Sequence, residues 1–248
     1  MGSDSFSCIV NPETLVVIPA RGGSRGIPRK NLVLLEGKPL IAWTIQAAKA
    51  ARHVTRVIVS TDDPEIAEVS RQFGAETPFL RPAEISGGEV FSVAVPVHAL
   101  KWLRENEGYE PARVLMLLPT SPLRQAEDID GAIELFAASG APSVVSVEPM
   151  DKQLPHLRRL VDGRLEPLIP FDQLNVQRQG LEPLYVLNGS IYVTTPATLL
   201  EHGTFHLRGA AGYPMLPARS IDINSPEDLL LAAFYLNQTP SSDLPSCP

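Results

Sequence analysis

The stretch LVVIPARGGSRGIPRKN, residues 15–31, decides the fold. Leu15-Val16-Val17-Ile18 is an apolar β-branched run that predicts a buried strand. It is followed at once by Gly22, Gly23 and Gly26 among Arg21, Arg25, Arg29 and Lys30. Glycines let backbone N–H groups approach a ligand closely, and cations beside them neutralise phosphates. A strand followed by such a loop is a recurrent cradle for a nucleotide triphosphate. The loop contains neither G-x-x-x-x-G-K-[ST] nor G-x-G-x-x-G. Gly22-Gly23-Ser24-Arg25-Gly26 matches G-x-S-x-G, so a serine hydrolase built on Ser24 is a competing reading, as is a solvated glycine turn.

Outward from this loop, short apolar runs alternate with helical patterns. Strands are predicted at 15–19, 56–60, 76–80, 114–118, 143–147 and 190–194, and helices at 39–51, 63–73, 92–105, 127–138 and 226–236. The alternation predicts an α/β fold with a mostly parallel, doubly wound sheet covered on both faces. Ligands of such sheets sit at the carboxyl ends of the strands. The polar segments Arg21–Asn31, Thr61-Asp62, Arg81-Pro82 and Pro119–Arg124 all follow strands, so they are expected to converge on one cleft. The rhythm breaks after Val147. The expected organisation is a single domain over 12–238, an insertion at 148–187 and a flexible tail at 239–248.

The formal net charge of −7 disfavours general nucleic-acid binding but permits a local cationic pocket. Only Cys8 and Cys247 are present, which fits a reducing cytoplasm and gives no zinc spacing. No apolar run reaches the roughly 18 residues of a membrane span, and the first residues do not read as a signal peptide. His202 and His206 are four apart, but Gly203 and the missing H-E-x-x-H favour a loop over a metal site. His98 reads as a packing residue. Asp222, Asn224 and Asp228 precede the last helix, and oxygen ligands of this kind suit Mg2+. Ser225-Pro226-Glu227-Asp228 is equally a helix N-terminus, so both roles stand open. Arg124 reads as a phosphate-side cation or as the solvated end of a capped turn.

Taken together, these segments resemble the CMP-sialic acid synthetases, the acylneuraminate cytidylyltransferases. The matching pieces are IPARGGSRGIPRKN, VSTDDPEIAEVS (59–70), FLRPAE (79–84), LLPTSPLR (117–124), RQGLEPLYVLNGSIYV (178–193) and SIDINSPEDL (220–229), in family order from Leu15 to Leu236. The resemblance implies a nucleotide-diphospho-sugar transferase-like sheet, a dimerising insertion and a cytoplasmic homodimer. It implies CMP transfer from CTP to an acidic acceptor with release of pyrophosphate, assisted by Mg2+. By resemblance Arg21, Gly22, Gly23, Ser24, Arg25, Lys30 and Asn31 hold the nucleotide, Arg81 and Ser92 its base end, and Asp222 the metal. Arg21, Arg25, Lys30 and Asp222 are then the catalytic set. Asn224 replaces the usual second aspartate, and Asp228 is the candidate to complete the site.

The acceptor side departs from the family. Leu118 stands where a glutamine is usual, only Ser92 matches in the 88–92 run, and Val186 stands where an arginine often precedes the asparagine-glycine turn. The resemblance puts Leu118, Thr120, Ser121, Arg178, Tyr185 and Asn188 on the acceptor side, with Arg158 and Arg159 as further cations for a carboxylate. Each lost hydrogen-bonding group would leave part of a polyhydroxylated sugar unpaired. The expected acceptor is a sialic-type or related 3-deoxy-ulosonic acid. The alternative is a small phosphonate such as phosphonoformate, and a catalytically inactive nucleotide-binding protein is a third reading motivated by Asn224.

Overall fold

A computed structural model describes residues 12–23, 26–87, 92–171 and 183–238. Ser24, Arg25, Arg178 and most of the 88–92 run therefore lie outside the described residues, as does the tail from 239.

The chain runs β1 (Thr14–Pro19), β2 (Leu34–Leu35), β3 (Lys38–Pro39), α1 (Leu40–Ala50), β4 (Arg56–Ser60), α2 (Pro64–Gln72), α3 (Ala94–Glu107), β5 (Arg113–Leu117), α4 (Ala126–Ser139) and β6 (Ser143–Pro149). It continues with β7 (Arg158–Val161), β8 (Arg164–Pro167), β9 (Tyr185–Thr194), α5 (Pro196–His202), β10 (Ala211–Pro214) and α6 (Pro226–Asn237). The main sheet has the order β10-β6-β9-β5-β1-β4. All neighbours are parallel except β9, which runs antiparallel to both β5 and β6.

Side-chain alternation along β1 explains the two layers. Val16 and Ile18 face α1 and α4, packing with Ile41, Ile45, Ile129 and Ile133. Leu15 and Val17 face the other side and pack with Val95, Ala99 and Leu103 of α3 and with Leu199 of α5. All four β1 residues are fully buried. Burying each such side chain stabilises the fold by roughly 1.5–3 kcal/mol. A third cluster joins Ile27, Leu123, Ile223 and Ala232. These are the apolar neighbours of the glycine loop, the Pro119–Arg124 turn and Asp222, so the polar segments rest on one shared platform.

The chain leaves β1 to form β4 on one side and returns to form β5 on the other. The carboxyl ends of β1 and β5 therefore flank the point where the winding reverses, which is where open α/β sheets bind ligands.

Three sequence expectations change. The strand at 76–80 is only a pair of isolated bridges, Ile58 with Glu76 and Thr61 with Leu80, because Pro78 removes a ladder donor. β6 extends to Pro149 and β9 starts at Tyr185, so the residues between these strands are 150–184 rather than 148–187. Within them β7 and β8 form a hairpin whose turn residues Asp162 and Gly163 have φ of 49° and 76°. An Asp-Gly pair between short β runs is a hairpin signal that the sequence reading passed over.

Candidate active site

The glycine loop is tied down at every described turn. Asn31 Nδ2 donates to the Arg21 carbonyl at 2.9 Å, and the Gly22 N–H donates to Asp62 Oδ1 at 2.9 Å. Arg29 adopts a left-handed backbone with φ 51° and is held by Asp63 at 3.1 Å and Glu65 at 2.7 Å. A Cβ on Gly26 would collide with the Asn224 carbonyl oxygen, so only glycine fits there. Gly23 has open space around it, and sterics do not explain its glycine. Among the described residues the first α-helix begins only at Leu40. The strand–turn–helix context of a nucleophile elbow is therefore missing, which removes the support for Ser24 as a hydrolase nucleophile.

Lys30 joins this loop to the segment before α6. Its Nζ donates to the Ile223 carbonyl at 2.6 Å and to Asn224 Oδ1 at 3.3 Å. Burial lowers the Lys30 pKa, and the nearby Asp222 carboxylate works against that shift. Between these elements lies a cleft of about 280 Å³ lined by Arg21, Lys30, Asn31, Leu118, Thr120 and Asn224 among others. It adjoins a second cleft of about 240 Å³ that shares Pro19, Arg21 and Leu118 and adds Arg81, Gly87 and Ser92. Burial depresses the Arg81 pKa, opposed by Asp62. Arg21 also donates to the Gly87 carbonyl at 3.3 Å.

Two further cavities continue from there. One, of about 350 Å³, is lined by Ser92, Val93, Met116, Tyr192, Phe205 and His206 with Gly203 and Thr204. Tyr192 is shared with another of about 330 Å³, which holds Glu148, Gly189, Asp222 and Asp228. Burial raises the Glu148 pKa, and burial followed by Asp222 raises that of Tyr192.

The residues before α6 divide their labour. Asp228 Oδ2 accepts the Asn224 and Ser225 N–H groups at 2.8 and 2.7 Å and pairs with Ser225 Oγ at 3.1 Å. These bonds, the Asn224 N–H first, lower its pKa. Asp228 thus closes the capping box of α6, and the metal role that the sequence left open for it has a structural competitor. Asp222 is exposed and accepts one hydrogen bond, from Asn224 Nδ2 at 2.7 Å. Among the described residues no group of three His, Cys, Asp or Glu side chains could enclose a metal. The donor set fits a hard cation that takes one protein carboxylate and otherwise uses water and phosphate oxygens.

Arg124 is neither solvated nor in the cleft. It is 2% exposed, and its guanidinium donates to Thr44 Oγ1 at 2.7 Å, the Ser190 carbonyl at 2.7 Å, Ser190 Oγ at 3.2 Å and the Leu118 carbonyl at 3.3 Å. Burial pushes its pKa down to about 9, still high enough for a full charge at neutral pH. It fixes the backbone of Leu118 at the centre of the cleft.

On the acceptor side only some expectations reach a cavity. Leu118 and Thr120 line the first cleft. Ser121 is buried with its hydroxyl unpartnered. Asn188 lines the fourth cavity, but its amide is engaged inside the fold by Ser146 Oγ at 2.6 Å, Ser220 Oγ at 2.9 Å and the Ser190 N–H at 3.2 Å. That makes it a positioning residue at the bulge between Val145 and Val147. Tyr185 is 51% exposed at the start of β9. Arg158 donates to the carbonyls of Pro155 and Leu157 at 2.6 and 2.8 Å, in the segment that leads into its own strand. His98 packs edge-on against Phe79 at 4.8 Å, and His206 edge-on against Tyr192 at 5.8 Å. Sequence reasoning assigned nothing to Glu148, Tyr192 or Phe205. Tyr192 and Phe205 are marked only by hydrophobicity, the property that also marks the core.

Residues 15–158 match the family profile described as cytidylyltransferase. The chain is 37% identical over 231 residues to CMP-N,N'-diacetyllegionaminic acid synthase of Legionella pneumophila, covering 90% of this chain and 97% of the relative. It is 30% identical over 225 residues to an N-acylneuraminate cytidylyltransferase of Streptococcus agalactiae, covering 90% of this chain but only 53% of that longer protein. The solved structure of CMP:2-keto-3-deoxy-manno-octonic acid synthetase complexed with CTP superposes with a TM-score of 0.67 at 17% identity, covering 90% of this chain and 98% of that one. At that identity the superposition shows the fold.

Proposed function

The chain belongs to the cytidylyltransferase family, and from that premise we propose that it transfers CMP from CTP to an N-acylated 3-deoxy-ulosonic acid of the sialic and legionaminic type. The observation that carries this is the row of cavities over the winding reversal. Cationic and glycine-rich walls lie at one end, an apolar pocket adjoins them through Ser92, and the cavity that holds Asp222 adjoins that pocket through Tyr192.

In the proposed reaction the acceptor hydroxyl gives up its proton to water and its oxygen forms a bond to the α-phosphorus of CTP. The bond from that phosphorus to the bridging oxygen breaks, and pyrophosphate leaves with the electron pair. Such transfers depend on positioning and charge stabilisation more than on a protein nucleophile. Arg21 and Lys30 lie where they can neutralise the departing pyrophosphate, with Arg25 expected beside them. Arg81 and Ser92 line the cleft assigned to the base. Asp222 would hold Mg2+, with Asn224 oriented beside it, and the ion would supply Lewis-acid polarisation of the phosphate.

The acceptor assignment follows from the chemistry of the remaining cavities. Val93, Met116, Tyr192 and Phe205 make an apolar pocket that suits the methyl of an acyl group. Glu148 offers an acceptor for an amide N–H or hydroxyl, and the relatives' names are those of acylated sugar acids. A small dianionic phosphonate would leave the apolar pocket empty and face Glu148 and Asp222 at close range, so the observations favour the sugar acid.

Pyrophosphate release from CTP tests the reading. N,N'-diacetyllegionaminic or N-acetylneuraminic acid is expected to give kcat/KM at least about a hundredfold above phosphonoformate. A preference for phosphonoformate would overturn it. Removing the acyl groups from the acceptor should raise its KM and leave that of CTP unchanged.

The hairpin and the chain after it expose Leu160, Leu165 and Phe171 at 72%, 70% and 76%. An apolar surface of this kind on a two-stranded arm is what a second copy of the chain would cover. Light scattering is expected to give twice the 26.9 kDa of one chain, and Leu160→Asp with Leu165→Asp to return it to that value.

A further inference from the structure

An acid stands where a polyanion is expected to bind. Asp62 Oδ1 accepts the Gly22 N–H at 2.9 Å, and the same oxygen lies 3.6 Å from Arg81 Nη2. The second distance is an ion pair rather than a hydrogen bond. A carboxylate beside a phosphate site costs Coulomb repulsion, so a compensating role is required.

Three observations supply that role. The Arg81 side chain is 4% exposed, and among the described residues its Nε and Nη2 have no hydrogen-bond partner. Burial and Arg21 both act against its charge, while Asp62 is the group that favours it. The turn that carries Asp62 is itself fixed. The Thr61 carbonyl accepts the Arg81 N–H at 2.7 Å, and Thr61 Oγ1 accepts the Asp63 N–H at 3.1 Å. Finally, a Cβ on Gly22 would come within 2.8 Å of Asp63 Oδ2. The glycine loop and the acidic turn therefore approach more closely than a side chain would permit.

Resting on the nucleotide reading above, we propose that Asp62 is a positioning residue that couples the two ends of the nucleotide site. Its carboxylate holds the glycine loop through Gly22 and holds Arg81 in place as its counter-charge. The guanidinium is then held in the wall of the second cleft, where the base is proposed to lie, while the loop is drawn onto the triphosphate. Base recognition and triphosphate binding depend on this one acid.

Calorimetric titration of the full chain with CTP, UTP and inorganic tripolyphosphate separates these ends without any acceptor. Tripolyphosphate reports the phosphate end alone. Asp62→Ala is expected to weaken CTP by about tenfold, shrink the preference for CTP over UTP by a similar factor, and weaken tripolyphosphate. Asp62→Asn keeps an oxygen for the Gly22 N–H but loses the charge. It is expected to bind tripolyphosphate at least as tightly as the wild type, because the repulsion is gone and the Gly22 bond is kept, and to lose the base preference. Unchanged affinities in both variants, with only the Tm lowered, would show a purely structural residue and overturn the proposal. So would Asp62→Asn weakening CTP and UTP equally. Arg81→Ala is the control on the underlying reading. If it keeps the CTP preference, the base role of Arg81 fails and the proposal falls with it. If Arg81→Ala loses the preference and Asp62→Ala keeps it, the coupling alone fails.

Discussion

Asp222→Ala is expected to lower kcat/KM for pyrophosphate release by about a thousandfold, equivalent to roughly 4 kcal/mol of transition-state stabilisation. The same substitution should leave the Tm within about 2 °C of the wild type. Both halves follow from its position. Asp222 is exposed, and among the described residues its side chain accepts only the Asn224 amide at 2.7 Å, so the fold asks little of it. It also lies in the cavity next to Glu148 and Tyr192, where the proposed metal would meet the phosphate. Asp228→Ala makes the contrast. Loss of the capping box should cost about 1 kcal/mol of stability while turnover stays within about threefold. Wild-type turnover in Asp222→Ala, or a thousandfold loss in Asp228→Ala, would reverse the two assignments.

Arg124→Met should produce the largest loss of stability. Met approximates the length of the side chain and removes the buried charge, which by itself is favourable. Against that, it abandons the carbonyls of Leu118 and Ser190 and the hydroxyls of Thr44 and Ser190 in a site with no water access. Each buried acceptor left unpaired costs about 1–3 kcal/mol, although the two hydroxyls can turn to other partners. The acceptors should win, with a net loss of about 3 kcal/mol and a fall in Tm of about 6–12 °C. Arg124→Lys should recover part of this, because one ammonium reaches fewer of the acceptors than the planar guanidinium does. A Tm unchanged in calorimetry would show that burying the charge costs the fold as much as its hydrogen bonds return, and a raised Tm that it costs more.

The cleft beside the glycine loop was legible because its signals are local. A buried strand, a glycine-rich basic loop and a D-x-N segment can each be recognised within a dozen residues, and the structure puts Arg21, Lys30, Asn31 and Asn224 around one cleft. The parallel core was legible for the same reason, since the continuous apolar runs of β1 and β4, buried on both faces, can be recognised without knowledge of distant partners. What could not be read depends on contacts far apart in sequence. The direction of β9 is set by where the 150–184 chain returns, and nothing in Tyr185–Thr194 states it. Asn188 reads as a free amide until Ser146 and Ser220 arrive from 42 and 32 residues away. Arg124 reads as a surface cation until Thr44 and Ser190 enclose it. Asp228 could have been decided earlier, because Ser225 and Asp228 have capping-box spacing with an acid at the third position.

β9 is one strand with two environments. From Ser190 to Thr194 it is buried throughout, and Ile191–Thr194 pair with β5. From Tyr185 to Leu187 it is exposed and pairs only with β6. Asn188 pins the boundary between them. Mutations at the outer end therefore disturb few packed neighbours and can accumulate without passing through an unfolded ancestor, while each change at the inner end must be accommodated by β5 and β6 on either side.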